Sequence, residues 1–183
     1  MRASAPELIA ARGLGTERKM FGMILNTFRF GEVEVDEDKI LEFPDGLFGF
    51  EGLRRFVLLS NEDIEPFHWL QSIDDTDIAL AVLDPFIVFP EYKPLVPESV
   101  FEELDMQEKS GADPLLLTVS VIPIEVTRMT TNLMSPIIIN AKKRLARQII
   151  LETGDYNPRE VIYERLKAIL NGGREDARTD AQA

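Results

Sequence analysis

Arg55-Phe56-Val57-Leu58-Leu59-Ser60, Phe67-His68-Trp69-Leu70-Gln71-Ser72-Ile73 and Ile78-Ala79-Leu80-Ala81-Val82-Leu83 are three short apolar runs in close succession. Each is closed by Asn, Asp, Glu or Pro, residues that favour turns. The runs are too short for ordinary helices and rich in Val, Leu and aromatic residues, so they read as consecutive strands joined by tight connections. Outward from them the same rhythm continues. Phe28, Phe30, Val33 and Val35 alternate around a turn at Gly31, and Ile40 to Phe43 follows. Leu115 to Ile124 is a long β run, and Pro136 to Asn140 and Arg147 to Leu151 complete the set. The spacing predicts a mostly β protein, a small antiparallel β-barrel-like or sandwich domain with one or two short helices.

The two helices have their own signals. Ser99 to Met106 places Val100, Phe101 and Leu104 on one face after Pro97. Pro158 to Leu170 starts with Asn157 as a cap, Pro158 at the first helical position and Glu160 in capping-box register, and Asn171-Gly172 can end it. Ile162, Leu166, Ile169 and Leu170 give it an apolar face. That face docks on the barrel or on a partner. Residues 1–22 read as a flexible N-terminal arm, 23–157 as the β domain, and 158–183 as a C-terminal helix and disordered tail. Met20 and Met23 offer alternative translation starts, which would make the preceding residues an extension.

Composition narrows the function. The chain has 183 residues, enough for one core, and 20 Lys and Arg against 32 Asp and Glu give a net charge of -12. Such a field repels phosphate backbones and anionic lipid heads, so neither direct nucleic-acid nor membrane binding is expected, and a basic protein is the better partner. There is no cysteine, which removes disulfides, thiol nucleophiles and Cys-based zinc sites. Ser4 to Gly22 is interrupted by charges and is no secretory signal, and no window is apolar enough to span a bilayer, so the expected location is cytoplasmic.

Catalytic chemistry finds little support. The single histidine, His68, lies beside Trp69 in a strand, and neither Ser60 nor Ser72 sits in a nucleophile elbow. Asp74, Asp75 and Asp77 suggest a calcium loop but lack the glycine and distal glutamate of an EF-hand, and a solvated turn explains them equally well. Gly46, Gly49 and Gly52 have the wrong spacing for a phosphate loop and read as turn residues. Lys142, Lys143, Arg144 and Arg147 form a basic stretch that reads as a turn or exposed strand edge protected against aggregation, with RNA binding as the less supported alternative. No cofactor and no enzyme activity are expected. The segment from Asp84 to Tyr92 sets three aromatics between prolines, which excludes a regular central strand. Phe86, Phe89, Glu91 and Tyr92 are therefore the candidate partner-binding residues, with a plug at one barrel end as the alternative role for the rings.

Several phrases together point further. Phe30-Gly31-Glu32-Val33-Glu34-Val35, Phe43-Pro44-Asp45-Gly46-Leu47-Phe48-Gly49-Phe50, Trp69-Leu70-Gln71-Ser72, Asp84-Pro85-Phe86 with Phe89-Pro90-Glu91-Tyr92, and Thr131-Asn132-Leu133 through Pro136-Ile137 to Asn140 occur in that order. With Arg147 to Leu151 they resemble the bacterial flagellar assembly factor FliW family, over about Met23 to Asn157. The resemblance implies a small β-barrel-like fold and a non-enzymatic regulator with two protein partners, flagellin and the RNA-binding translational regulator CsrA. It implies a partner switch, in which flagellin sequesters the protein and its export frees the protein to bind CsrA and relieve repression of flagellin translation. A general cytoplasmic export chaperone for flagellin is the alternative. Gln71, Asn132 and Asn140 match the family pattern and are expected to satisfy backbone groups at barrel turns.

Overall fold

The structure, a computed structural model, describes residues 22–60, 64–106, 114–152 and 156–180. The arm expected over 1–22 therefore lies, except for Gly22, outside the described residues.

The three deciding runs form strands β4 (Arg55–Ser60), β5 (Phe67–Ser72) and β6 (Ala79–Leu83), paired antiparallel in sequence order. Before them come β1 (Gly22–Thr27), β2 (Gly31–Asp36) and β3 (Leu41–Glu42), and after them β7 (Leu115–Val121), β8 (Thr130–Thr131), β9 (Ile137–Asn140), β10 (Leu145–Gln148) and β11 (Glu160–Val161). Helices α1 (Pro85–Val88), α2 (Glu98–Glu103) and α3 (Tyr163–Asp180) complete the order.

The sheet closes on itself. Strand β7 pairs with β6 along one edge, and along the other with β9 at its start and β8 at its end. Strand β10 bridges β9 and β3, the latter in a parallel junction at Leu145 and Glu42. The result is a barrel of seven strands, β3, β4, β5, β6, β7, β9 and β10. Of the basic stretch read as a turn or strand edge, Lys142, Lys143 and Arg144 lie in the β9–β10 turn, whereas Arg147 lies within β10, paired with Ile138 of β9.

Alternation explains the near-continuous apolar runs. Phe56 and Leu58 of β4, Leu70 of β5, Val82 of β6, Leu115 and Leu117 of β7, and Ile137 and Ile139 of β9 fill the interior, all buried. The alternate residues are covered from outside in two places. The β1–β2 hairpin lays Leu25 and Val35 over Val57 and Leu59. The three helices and their loops lie over Leu83, Leu116 and Ile138. A wall buried on both faces has no polar face to alternate with.

Two differences from the sequence reading concern ends. The expected helix from Pro158 starts only at Tyr163, because Glu160 and Val161 pair with Thr131 and Thr130 at the sheet edge. Asn157 does accept from the Arg159 N–H at 2.9 Å, but one turn is all that it caps before pairing takes over. At the other end the helix runs past Asn171-Gly172 to Asp180. The run from Leu115 to Ile124 stops as a strand at Val121, two residues before Pro123, which has no N–H for a ladder.

Candidate functional site

The segment with the candidate binding residues begins at a local cap. The Asp84 carboxylate accepts from the Phe86 N–H at 2.8 Å, and Pro85 starts the single turn of α1. The chain then turns so that the candidate residues separate into two roles. Phe89 and Tyr92 are buried in the outer core, whereas Phe86 is half-buried and Glu91 is exposed. The Tyr92 hydroxyl donates to the Leu133 carbonyl at 2.7 Å, and its ring stands edge-on to Tyr156 at 4.8 Å and tilted to Phe86 at 5.7 Å. Burial, with a smaller contribution from Tyr156, pushes the Tyr92 phenol well above its ordinary range, so it stays a neutral donor.

Arg165 of α3 locks this segment from outside. Its guanidinium lies 4.4 Å above the Phe89 ring, pairs with the Glu91 carboxylate at 2.9 Å and donates to the Val88 carbonyl at 3.2 Å. The Glu91 carboxyl is held below its usual value by a hydrogen bond from its own backbone first and by Arg165 second.

Beside it opens a groove of ≈ 710 Å³. The rings of Phe86, Tyr92 and Phe101 and the prolines Pro94, Pro97 and Pro114 line it, with Lys93 and the 70 % exposed Leu95. Its far wall is α2, which is tied to the barrel by its C-terminal end. Met106 N–H donates to Phe101 O and Asp105 N–H to Glu102 O, with Asp105 in the left-handed region at φ 53°. This is a Schellman closure with aspartate where glycine is usual. Asp105 pairs with Lys143, and Glu103 with Arg147, which also reaches Asp45 at 3.3 Å. Arg144 pairs with Asp38 at 3.2 Å. Lys143, Arg144 and Arg147 are thus engaged in holding elements together.

The polar candidates are used on backbone groups at turns, as expected. Gln71, fully buried, donates towards the carbonyls of Ser72, Thr76 and Ile78. Asn132 accepts from Ser135 N–H, and Asn140 donates to Leu104 O and accepts from Lys143 N–H. Asp74 accepts from the Arg54 and Arg55 N–H groups at 2.7 and 2.8 Å, and Asp75 from Asp77 N–H. Asp75 thus serves the backbone of its own turn, and Asp74 the chain entering β4. Gly46, at φ 71°, has the Glu51 backbone 2.7 Å from where a Cβ would stand, so it serves a tight turn. Among the described residues no group of three His, Asp or Glu is placed to hold a metal. His68 stands on the interior parity of β5, and burial lowers its pKa against the opposing pull of Glu65 and Asp84.

A second accessible surface was not singled out by the sequence. Ile122, the fully exposed Ile124 and Val126 form an apolar stretch after β7, and α3 packs against the turn at Val126–Arg128. Leu166 of α3 and Ile162 just before it are buried, whereas Ile169 and Leu170 are 42 % and 51 % exposed. Pro123 was the available signal, since a run that must leave the ladder cannot keep all its apolar side chains covered.

A family model described as FliW protein matches residues 24–162. The chain belongs to the FliW family. It is 39 % identical over 146 residues to the flagellar assembly factor FliW of Thermoanaerobacter pseudethanolicus, covering 79 % of this chain and 96 % of that one. To the flagellar assembly factor FliW of Alkaliphilus metalliredigens it is 34 % identical over 146 residues, 79 % and 89 % of the two chains. A crystal structure of the flagellar assembly factor FliW superposes with a TM-score of 0.70 at 30 % identity, covering 77 % of this chain and 97 % of that one. The FliW match takes in the whole barrel and β11 and stops before α3. The groove and the Ile122–Val126 stretch lie inside it; Ile169 and Leu170 lie outside. Among the described residues no helix is long and apolar enough to cross a membrane.

Proposed function

We propose that this chain works by binding alone, as a cytoplasmic flagellar assembly factor that binds flagellin and, when flagellin is exported, binds CsrA and relieves its repression of flagellin translation. The observation that carries the proposal is the FliW match over residues 24–162, the complete barrel. The net charge of -12 supports it, because an RNA-binding partner presents the opposite field and the encounter is accelerated. Control follows from mass action: flagellin that occupies the protein removes it from CsrA. The proposed partner surface is the segment from Asp84 to Tyr92, with the groove beside it. Phe86 and Glu91 contribute from the accessible side, and the buried Phe89 and Tyr92 fix the shape beneath them.

Titration calorimetry with purified CsrA and with flagellin, followed by a competition with both, tests this. Binding of both with displacement of CsrA by flagellin is the expected result. Absence of CsrA binding removes the switch. A second reading, a general export chaperone for flagellin, is favoured by the exposed Ile169 and Leu170 of α3. Removing residues 168–183 tests it while sparing the buried Ile162 and Leu166; the chaperone reading expects flagellin binding to be lost and CsrA binding to be absent from the start.

A further inference from the structure

We infer that the groove between the Phe86–Pro97 segment and α2 is a docking site for a polypeptide segment with an aliphatic or prolyl anchor and Lys or Arg towards one end. This inference rests on the reading of that segment as a partner surface, and is independent of which protein supplies the ligand. The groove floor provides aromatic faces from Phe86, Tyr92 and Phe101, and the prolines Pro94, Pro97 and Pro114 hold its walls with few backbone N–H groups to satisfy. Leu95, in the same lining, has 70 % of its surface exposed and extends the apolar surface to solvent.

Charge selects the occupant. The acidic residues around the groove are mostly neutralised within the protein: Glu91 by Arg165, Glu103 by Arg147 and Asp105 by Lys143. Glu98 and Glu102 are the exceptions. They lie four residues apart, on one exposed face of α2 next to Phe101, and among the described residues neither side chain makes an ion pair or hydrogen bond. Lys93 lines the groove beside Tyr92. The groove is therefore apolar along most of its lining, with Lys93 in it and Glu98 and Glu102 outside it on α2 beside Phe101, which fixes a direction: the basic end of the ligand lies over α2, towards Glu98 and Glu102. An anionic peptide or nucleic acid would meet those two carboxylates and the wider -12 field unfavourably.

Selection of short random peptides displayed on phage against the immobilised full chain tests the inference without presupposing a ligand. Enriched sequences are expected to combine an apolar anchor with Lys or Arg on one side. A synthetic copy should bind with a Kd that rises about tenfold or more on the double substitution Glu98→Lys/Glu102→Lys, on Leu95→Asp, and at high salt, as expected for solvent-exposed charge pairs beside an apolar contact. These positions are exposed, so circular dichroism of the variants should match the parent. No enrichment, enrichment without basic residues, or binding untouched by both variants overturns the proposal. Failure of CsrA and flagellin to bind while the peptide still does so would remove the functional reading and leave the groove.

Discussion

The side-chain amide of Asn140, at the end of β9, donates a 2.8 Å hydrogen bond to the carbonyl of Leu104, at the C-terminal end of α2. A helix of six residues leaves its last carbonyls without intrahelical donors, and this bond supplies one from the barrel. Asn140 also accepts from the Lys143 N–H, so one buried side chain fixes both the β9–β10 turn and the helix that walls the groove. Asn140→Ala should cost about 1–3 kcal/mol, the penalty of stranding buried polar groups. Chemical denaturation measures the loss, and hydrogen exchange should show α2 amides opening more than those of β4 or β5. Uniform loosening would show that the bond is not what couples helix to barrel.

Inside the barrel the decisive pair is Phe43 and Phe56, edge-on at 5.0 Å and both fully buried. Phe56→Ala removes a ring from a closed interior whose paired walls cannot collapse inward, and should destabilise by about 3–5 kcal/mol. On the outer face of the hairpin, Ile24 is 67 % exposed, and Ile24→Ala should stay within about 0.5 kcal/mol of the parent. Urea midpoints of the two variants give the comparison.

Acid sensitivity centres on Asp74. Burial pushes its carboxyl up, but the N–H groups of Arg54 and Arg55 and the Arg55 guanidinium together outweigh that and hold it below its ordinary value of 3.8. A carboxylate depressed in the folded state adds stability above the unfolded pKa and loses it as pH falls through the folded one. The contribution of Asp74 is therefore intact at neutral pH and disappears below about pH 4. Asp74→Ala should lower stability at pH 7 by about 1–3 kcal/mol, since two backbone donors lose their acceptor, and should flatten the acid limb of the stability curve. An unchanged acid limb would place the acid-sensitive group elsewhere.

What was legible in the sequence follows from where the forces are local. Strands β4, β5 and β6 could be bounded to within a residue because turn residues close each run and the cores they meet are on both sides. The offset of β10, Leu145–Gln148 against an expected Arg147–Leu151, arises from its two partners: pairing with β9 and the junction at Glu42 set its register, and neither is visible in its own residues. Likewise the cap at Asn157 was a sound local signal overridden by β11. For the candidate site, aromatics between prolines marked the right segment, but the sequence cannot tell which rings face inward; Phe89 and Tyr92 do, because Arg165 and Leu133 supply distant partners. The uncompensated pair Glu98 and Glu102 was equally hidden, since its distinction lies in the cations that its neighbours find across the fold.

The exposed end of α3 separates the two functional readings. Ile169 and Leu170 continue the apolar face begun by Ile162 and Leu166, but the barrel stops covering that face after its first turns, and the FliW match ends at residue 162. The double substitution Ile169→Glu/Leu170→Glu exposes nothing new and creates no cavity, so thermal unfolding should be unchanged within about 0.5 kcal/mol. If the partner switch resides in the barrel, affinity for CsrA and for flagellin should both remain within about twofold of the parent. If α3 is instead the surface that cradles an export substrate, loss of two aliphatic anchors worth about 1.5–3 kcal/mol each should weaken flagellin binding by more than tenfold, with CsrA binding absent from parent and variant alike. Calorimetry on this one variant, which leaves the buried Ile162 and Leu166 untouched, therefore assigns flagellin either to the barrel or to the helix.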